Sequence, residues 1–310
     1  RYGNLRLKDG RLVAHGNGDA GLSIGRETMR PISEFLSDVG QSPFFLWYAP
    51  FLPHLPHNSP KRFAEQYDES VRDDLRAYYA ACTEFDESVG TLIDMVQDSN
   101  VAQKTPRRTL YVFVADNGYR PDPGKPMKDG FGFNYTRRSK RSPFEDGLRT
   151  PILFALEDSV RPATHESPHS SVDIMPTILE ACSIETPESV SGRSLWPLLT
   201  GRVSGLSPRT VFGEIYPGDA TELGNPARDV AYRWIRDGGY KLIVPHVRDG
   251  RAWGGFGTTV QLYNLVNDPQ ERINLAADRR YRSRVARMKE RLDRWWLPGT
   301  DDGQKNVKSR

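Results

Sequence analysis

The chain has 310 residues, a formal charge of +3, six histidines and two cysteines. That length admits one large domain or two smaller ones with a real core. A hydrophobic fraction of 37% with no long apolar run excludes a transmembrane helix. So slight a positive excess names no partner by itself, and nucleic acid is not expected as one.

Cys82 and Cys182 show no metal-ligand spacing and make no disulfide framework. Cys82 falls on the apolar face of a helix and reads as core. The chain begins with Arg1 and carries no signal-like segment, which leaves the compartment open because a secretion signal is removable.

Residues 1–25 are polar and glycine-rich and read as irregular loop. Glu27–Val39 predicts a helix with Met29, Ile32, Phe35 and Leu36 on one face. Pro43–Pro50 predicts an apolar strand. It runs into Pro50-Phe51-Leu52-Pro53-His54-Leu55-Pro56-His57, where prolines stiffen the backbone and hold two imidazoles near a strand end. A rigid histidine can donate to an anion or pass a proton. The same loop also reads as proline-rich surface with incidental histidines. Arg72–Gln97 repeats Leu75, Tyr78, Tyr79, Cys82, Phe85, Val89, Leu92, Ile93 and Val96 at helical steps, which predicts a sheet-covering helix.

Thr109–Gly118 organises the remainder. Leu110–Ala115 is apolar without alternation, which predicts a strand buried on both faces of a parallel sheet. With the preceding strand and helix it makes a right-handed crossover of an α/β sheet. It ends in Asp116-Asn117-Gly118. Ligands of open α/β sheets bind just past the carboxyl ends of strands, and Asp116 and Asn117 offer the hard oxygens that calcium or magnesium prefers. The tripeptide alone also reads as a plain turn.

Arg120–Phe133 is a proline- and glycine-rich loop, too long for a mere connection. Arg137, Arg138, Lys140 and Arg141 then lie between two strand ends, because Ile152–Leu156 predicts another strand. A cation there can bind an anionic group at the same sheet edge. Ser171–Cys182 predicts a short helix with Asp173 in its first turn. Beyond about residue 200, strands are predicted at Thr210–Tyr216, Asp229–Arg236, Tyr240–Pro245 and Gln261–Leu265. Asp237-Gly238-Gly239 marks a hairpin, and Arg279–Trp296 closes as a helix. The expected domains are therefore 1–200, of α/β type, and 201–310, a small antiparallel sheet plus helix. The tail after Pro298 is polar and expected to fray.

Taken together, several motifs resemble the sulfatases of the alkaline phosphatase superfamily. The strand end Asp116-Asn117-Gly118 resembles their metal-binding strand end, and Pro53-His54-Leu55-Pro56 is similar to their Pro-His-x-Pro loop. Lys140 through Pro151 resembles their Gly-Lys-x4-Glu-Gly-Gly-x-Arg-x-Pro segment, with Ser139 and Asp146 in place of two glycines. Val172–Thr177, Tyr240–Ile243, Leu262–Pro269 and Asn274–Ala276 follow in family order. The resemblance implies an alkaline-phosphatase-like sheet flanked by helices and hydrolysis of sulfate esters of a small molecule or saccharide. It implies Asp116 and Asn117 as ligands of one calcium (or magnesium), Lys140 on the sulfate, and His54 binding sulfate or protonating the leaving oxygen. His57 has no firm family role and stands as a possible substrate contact. Asp116, Asn117, His54 and Lys140 are expected at one sheet edge. By resemblance the compartment is extracellular, periplasmic or lysosomal.

The family nucleophile is a formylglycine made in a Cys/Ser-x-Pro-x-Arg motif. No such motif occurs here, and the family's N-terminal Asp-Asp pair is also missing. The chain therefore resembles the C-terminal part of a sulfatase whose first segment lies elsewhere and acts as its partner. Two rivals stand. One is a phosphodiesterase, phosphonate hydrolase or phosphomutase of the superfamily, which commonly sets Asp-His at this strand end. The other is a non-catalytic sulfatase-like fragment or binding protein.

Overall fold

The computed structural model describes residues 5–6, 12–14, 22–102, 107–122, 135–218, 221–222, 224–248, 251–252 and 254–299. Most of the expected loops over 1–25 and Arg120–Phe133, and the tail beyond Gly299, lie outside the described residues. The chain divides into two compact units. One is Arg1–Arg108 with Pro121–Asn134; the other is Thr109–Arg120 with Tyr135–Arg310.

The first unit opens with a short antiparallel pair, β1 (Leu5–Arg6) and β2 (Leu12–Ala14). Its helices are α1 (Arg30–Val39), α2 (Lys61–Ala64) and α3 (Asp73–Val101). α1 buries Ile32 and Leu36, and α2 buries Phe63. Asp73 and Asp74 sit in the first turn of α3, where the helix dipole favours negative charge. Cys82, expected in the core, is only half-buried, and burial pushes its thiol pKa up.

Pro43–Pro50 is not a strand. Its backbone has no ladder partner among the described residues, and its side chains alternate. Phe44, Leu46 and Tyr48 are half-buried, while Phe45 and Trp47 are 75% and 83% exposed. The Phe44 ring meets Phe35 edge-on at 5.8 Å, and the Tyr48 hydroxyl donates to Ser88 Oγ at 3.2 Å. One face is packed and the other is bare, so the expected strand–helix–strand crossover lacks its first strand.

In the second unit, β3 (Tyr111–Val114) pairs in register with β4 (Ile152–Ala155). The pairing is antiparallel, which corrects the expectation of a parallel sheet at this position. Val114 is 42% and Leu153 59% exposed, which corrects burial on both faces. A two-stranded ribbon leaves one edge of each strand and much of each face uncovered.

The rest of this unit matches its reading closely. α4 (Glu145–Leu148), α5 (Ile174–Ala181) and α6 (Trp196–Leu199) precede four strands. These are β5 (Thr210–Ile215), β6 (Tyr232–Asp237), β7 (Tyr240–Pro245) and, after a short pair β8 (Val247–Arg248) and β9 (Arg251–Ala252), β10 (Gln261–Asn264). They form one antiparallel sheet in the order β10-β7-β6-β5, closed by α7 (Arg282–Trp295). Gly238, at φ 57°, makes the tight β6–β7 hairpin.

Side chains of a strand alternate between faces, and the two faces of this sheet build two cores. Ile235, Leu242, Val244 and Leu262 pack with Met288 and Leu292 of α7. On the other face Ile243, Tyr232 and Tyr263 pack with Phe144, which comes from the segment leading into α4. Burial of Phe144 anchors the basic segment to the sheet.

Candidate active site

β3 ends at Val114, and the chain bends through Asp116 and Asn117. Asp116 is exposed and Asn117 half-buried. Asn117 Nδ2 donates to the Gly118 carbonyl at 2.9 Å, so its carboxamide oxygen is not the atom engaged in that bond. Next, Gly118 N–H donates to the Gly147 carbonyl at 2.9 Å. A Cβ at Gly118 would lie 2.2 Å from the Asp146 carbonyl oxygen, so only glycine admits this approach.

Lys140 follows Ser139, which is fully buried. Ser139 Oγ accepts from Arg120 N–H at 2.8 Å and faces the Gly118 and Asp146 carbonyls at 3.4 Å each. The Lys140 turn and the Asp116–Gly118 strand end are thus joined by hydrogen bonds through one hydroxyl. Lys140 itself is half-buried, and Arg141 takes a left-handed φ of 65° that turns the chain back toward Phe144.

The same segment is held from the sheet side by charge. Lys241 of β7 is fully buried, with Nζ 2.9 Å from Glu145 Oε1 and 2.6 Å from Glu271 Oε1. Glu271 Oε2 accepts from Glu145 N–H at 2.7 Å. Arg138 donates to the Glu271 carbonyl at 2.6 Å and stacks over the Phe144 ring at 3.8 Å. Arg236 Nη1 lies 3.6 Å from Glu145. Burial pushes the Glu271 carboxyl above the usual range, with the neighbouring Lys241 ammonium opposing it.

The histidine loop belongs to the first unit. Leu52 is buried against Leu22 and Ala81, with Phe51 and Phe85 beside them. Arg26 grips Glu84 of α3 at 2.6 and 2.8 Å and Asn58 at 2.9 Å, which ties the loop's far end to the helix. Leu52–Pro53 and Leu55–Pro56 are cis. His54 is exposed, its ring lies tilted at 4.8 Å from that of Phe51, and its Nδ1 donates to the Leu55 carbonyl at 3.0 Å. That bond makes Nδ1 the ring's donor to the backbone. His57 lies 5.3 Å from the Tyr78 ring, and burial lowers its pKa.

The sulfatase family model matches residues 24–184, and that of the C-terminal region of N-sulphoglucosamine sulphohydrolase matches residues 134–296. The chain belongs to the sulfatase family. It is 32% identical over 247 residues to arylsulfatase A of Homo sapiens, an alignment that covers 75% of this chain and 44% of that protein. It is 25% identical over 233 residues to a Delta 4,5-hexuronate-2-O-sulfatase of Bacteroides thetaiotaomicron, which covers 74% of this chain and 43% of that one. The chain thus spans less than half the length of these curated relatives. The putative sulfatase yidJ from Bacteroides fragilis has the same alkaline-phosphatase-like α/β fold. It superposes with a TM-score of 0.62 at 22% identity, covering 88% of this chain and 58% of that one.

In this sulfatase chain, Asp116, Asn117 and Lys140 lie on hydrogen-bonded segments of the second unit, whereas His54 and His57 share one loop of the first. A carboxylate and a carboxamide oxygen suit a hard cation as part of its donor set. Among the described residues, no three His, Cys, Asp or Glu side chains gather as a metal site. No helix among them is long and apolar enough to cross a membrane.

Sequence reasoning missed the role of Lys241, Glu145 and Glu271. The signal was a lysine inside the apolar run Tyr240–Val244, at a position whose alternation points inward.

Proposed function

We propose that this chain forms part of a sulfuric ester hydrolase that removes sulfate from a sulfated carbohydrate. The observation that carries this is the join between the Asp116–Gly118 strand end and the Lys140 turn through Ser139 and the Gly118–Gly147 bond. It holds a hard-oxygen pair and an ammonium on neighbouring segments. In sulfuryl transfer, charge gathers on the sulfate and leaving oxygens, and fixed cations stabilise it. Lys140 is assigned to the sulfate. His54 is assigned to binding sulfate or protonating the leaving oxygen, with Nδ1 held by the Leu55 carbonyl and Nε2 free to act. His57 is assigned to a substrate contact.

Asp116 and Asn117 would hold one calcium, with magnesium as the substitute. When bound, such a cation supplies Lewis-acid stabilisation of the sulfate oxygens. The nucleophile belongs to a formylglycine segment outside these residues. Val114 and Leu153 of the β3–β4 ribbon are apolar and exposed, which supports a sheet completed by that segment. By the family resemblance the enzyme is assigned to an extracellular, periplasmic or lysosomal compartment. The division near residue 200 into a catalytic α/β part and a C-terminal subdomain belongs to the same reading.

The rival is a phosphodiester or phosphonate hydrolase of the same superfamily. Asn117 supplies an oxygen where a zinc or manganese site would take imidazole, which favours the sulfatase. The test assays the full-length enzyme on 4-nitrophenyl sulfate and on bis(4-nitrophenyl) phosphate, after chelation and return of calcium, zinc or manganese. Calcium-restored sulfate release is expected. Faster phosphodiester turnover with zinc or manganese would overturn the assignment, and no turnover of either would favour a binding protein.

A further inference from the structure

We propose that the buried Lys241–Glu145–Glu271 cluster positions Lys140, so that the C-terminal sheet sets the geometry of the reaction centre. This rests on the assignment of Lys140 to the sulfate.

Glu271 grips the basic segment on both sides of Lys140. Upstream, Arg138 donates to the Glu271 carbonyl at 2.6 Å; downstream, Glu145 N–H donates to Glu271 Oε2 at 2.7 Å. Lys241 then joins the Glu145 and Glu271 carboxylates at 2.9 and 2.6 Å. A buried ammonium and two carboxylates are costly to desolvate, and apolar residues of the same volume often serve stability as well or better. Registry is the use that remains. Glu271 also holds a left-handed φ of 53°, which residues with side chains rarely adopt. The grip reaches the metal-side residues too, because Ser139, next to Arg138, bonds to Arg120 N–H and faces the Gly118 carbonyl. Lys241 acts on Lys140 through the Glu145 and Glu271 carboxylates, so it is a positioning residue.

The test is a double-mutant cycle in the full-length enzyme with 4-nitrophenyl sulfate, using Lys140→Ala, Lys241→Met, Glu145→Gln and the pairs with Lys140→Ala. Lys241→Met should lower kcat about 10- to 100-fold, the cost of an ångström-scale misplacement. In the Lys140→Ala background the same change should cost less than about threefold, because the group it positions is gone. Glu145→Gln keeps size and backbone contacts and stands in if Lys241→Met does not fold. Multiplying losses would overturn the proposal by making the cluster merely structural, as would full activity of both cluster variants beside an inactive Lys140→Ala. Full activity of Lys140→Ala would remove Lys140 from the mechanism, and the proposal would fall with it.

Discussion

Gly118 and Gly147 meet backbone to backbone, with the Gly118 amide donating to the Gly147 carbonyl at 2.9 Å. A Cβ on Gly147 would lie 2.2 Å from the Ser139 carbonyl oxygen, as close as one on Gly118 would lie to Asp146. Neither obstacle is a flexible side chain. Gly118→Ala and Gly147→Ala should each destabilise the protein by about 1–3 kcal/mol, the cost of overpacking. An unchanged urea midpoint in either variant would refute the close approach.

The assigned chemistry predicts a second pair of variants. His54 is exposed and Lys140 half-buried, so neither serves a core. In the full-length enzyme, His54→Ala and Lys140→Ala should lower turnover by about two to four decades. Thermal unfolding should match the parent within a degree or two. A His54→Ala enzyme of normal turnover would free the leaving oxygen from this imidazole.

Calcium binding tests the donor set. The cation takes about six to eight oxygens, and Asp116 with Asn117 offers a fraction of them. Residues 1–310 expressed alone should therefore bind calcium only weakly and leave an aryl sulfate intact. Calorimetric titration beside the assay decides it. Micromolar binding with turnover would point to a nucleophile and ligands within these residues.

The imidazole of His57 predicts a pH dependence. Burial lowers its pKa; a backbone hydrogen bond at Pro53 opposes this, and the nearby His54 adds to it. With the folded pKa below the unfolded value of about 6.5, the unfolded chain binds more protons between the two. Stability is therefore present above about pH 6.5 and declines as the pH falls toward the lowered folded value. Urea midpoints at pH 7.5 and 5.5 should drop more for the parent than for His57→Gln. Equal drops would assign the acid sensitivity to other groups.

Asp173 predicts a structural loss. Its carboxylate is fully buried and accepts from Ser170 N–H at 3.0 Å, Arg193 N–H at 3.0 Å and Arg209 at 2.5 Å. Asp173→Ala would strand Arg209 and uncap the turn before α5, at a cost of about 3 kcal/mol. Chemical denaturation measures it, and a loss under about 1 kcal/mol would show that water replaces the carboxylate freely.

The sequence by itself determined the longer elements whose signal is local. Helical repetition marked α3, Asp237-Gly238-Gly239 between two predicted strands marked the β6–β7 hairpin, and the order of short motifs marked the sulfatase family. Asp116, Asn117, His54 and Lys140 stood out as candidates because strand ends and rigid loops are signalled in a few adjacent residues. Two matters were decided only in three dimensions. Apolar runs do not reveal their partners, so Pro43–Pro50 read as a strand yet lies extended with Phe45 and Trp47 bare, and β3 read as parallel yet pairs antiparallel with β4. The grip on Lys140 was hidden because Glu145, Lys241 and Glu271 are far apart along the chain. A single sequence carries no trace of their contact, and only the packing of Phe144 on the β7 face brings opposite charges together where water cannot compete.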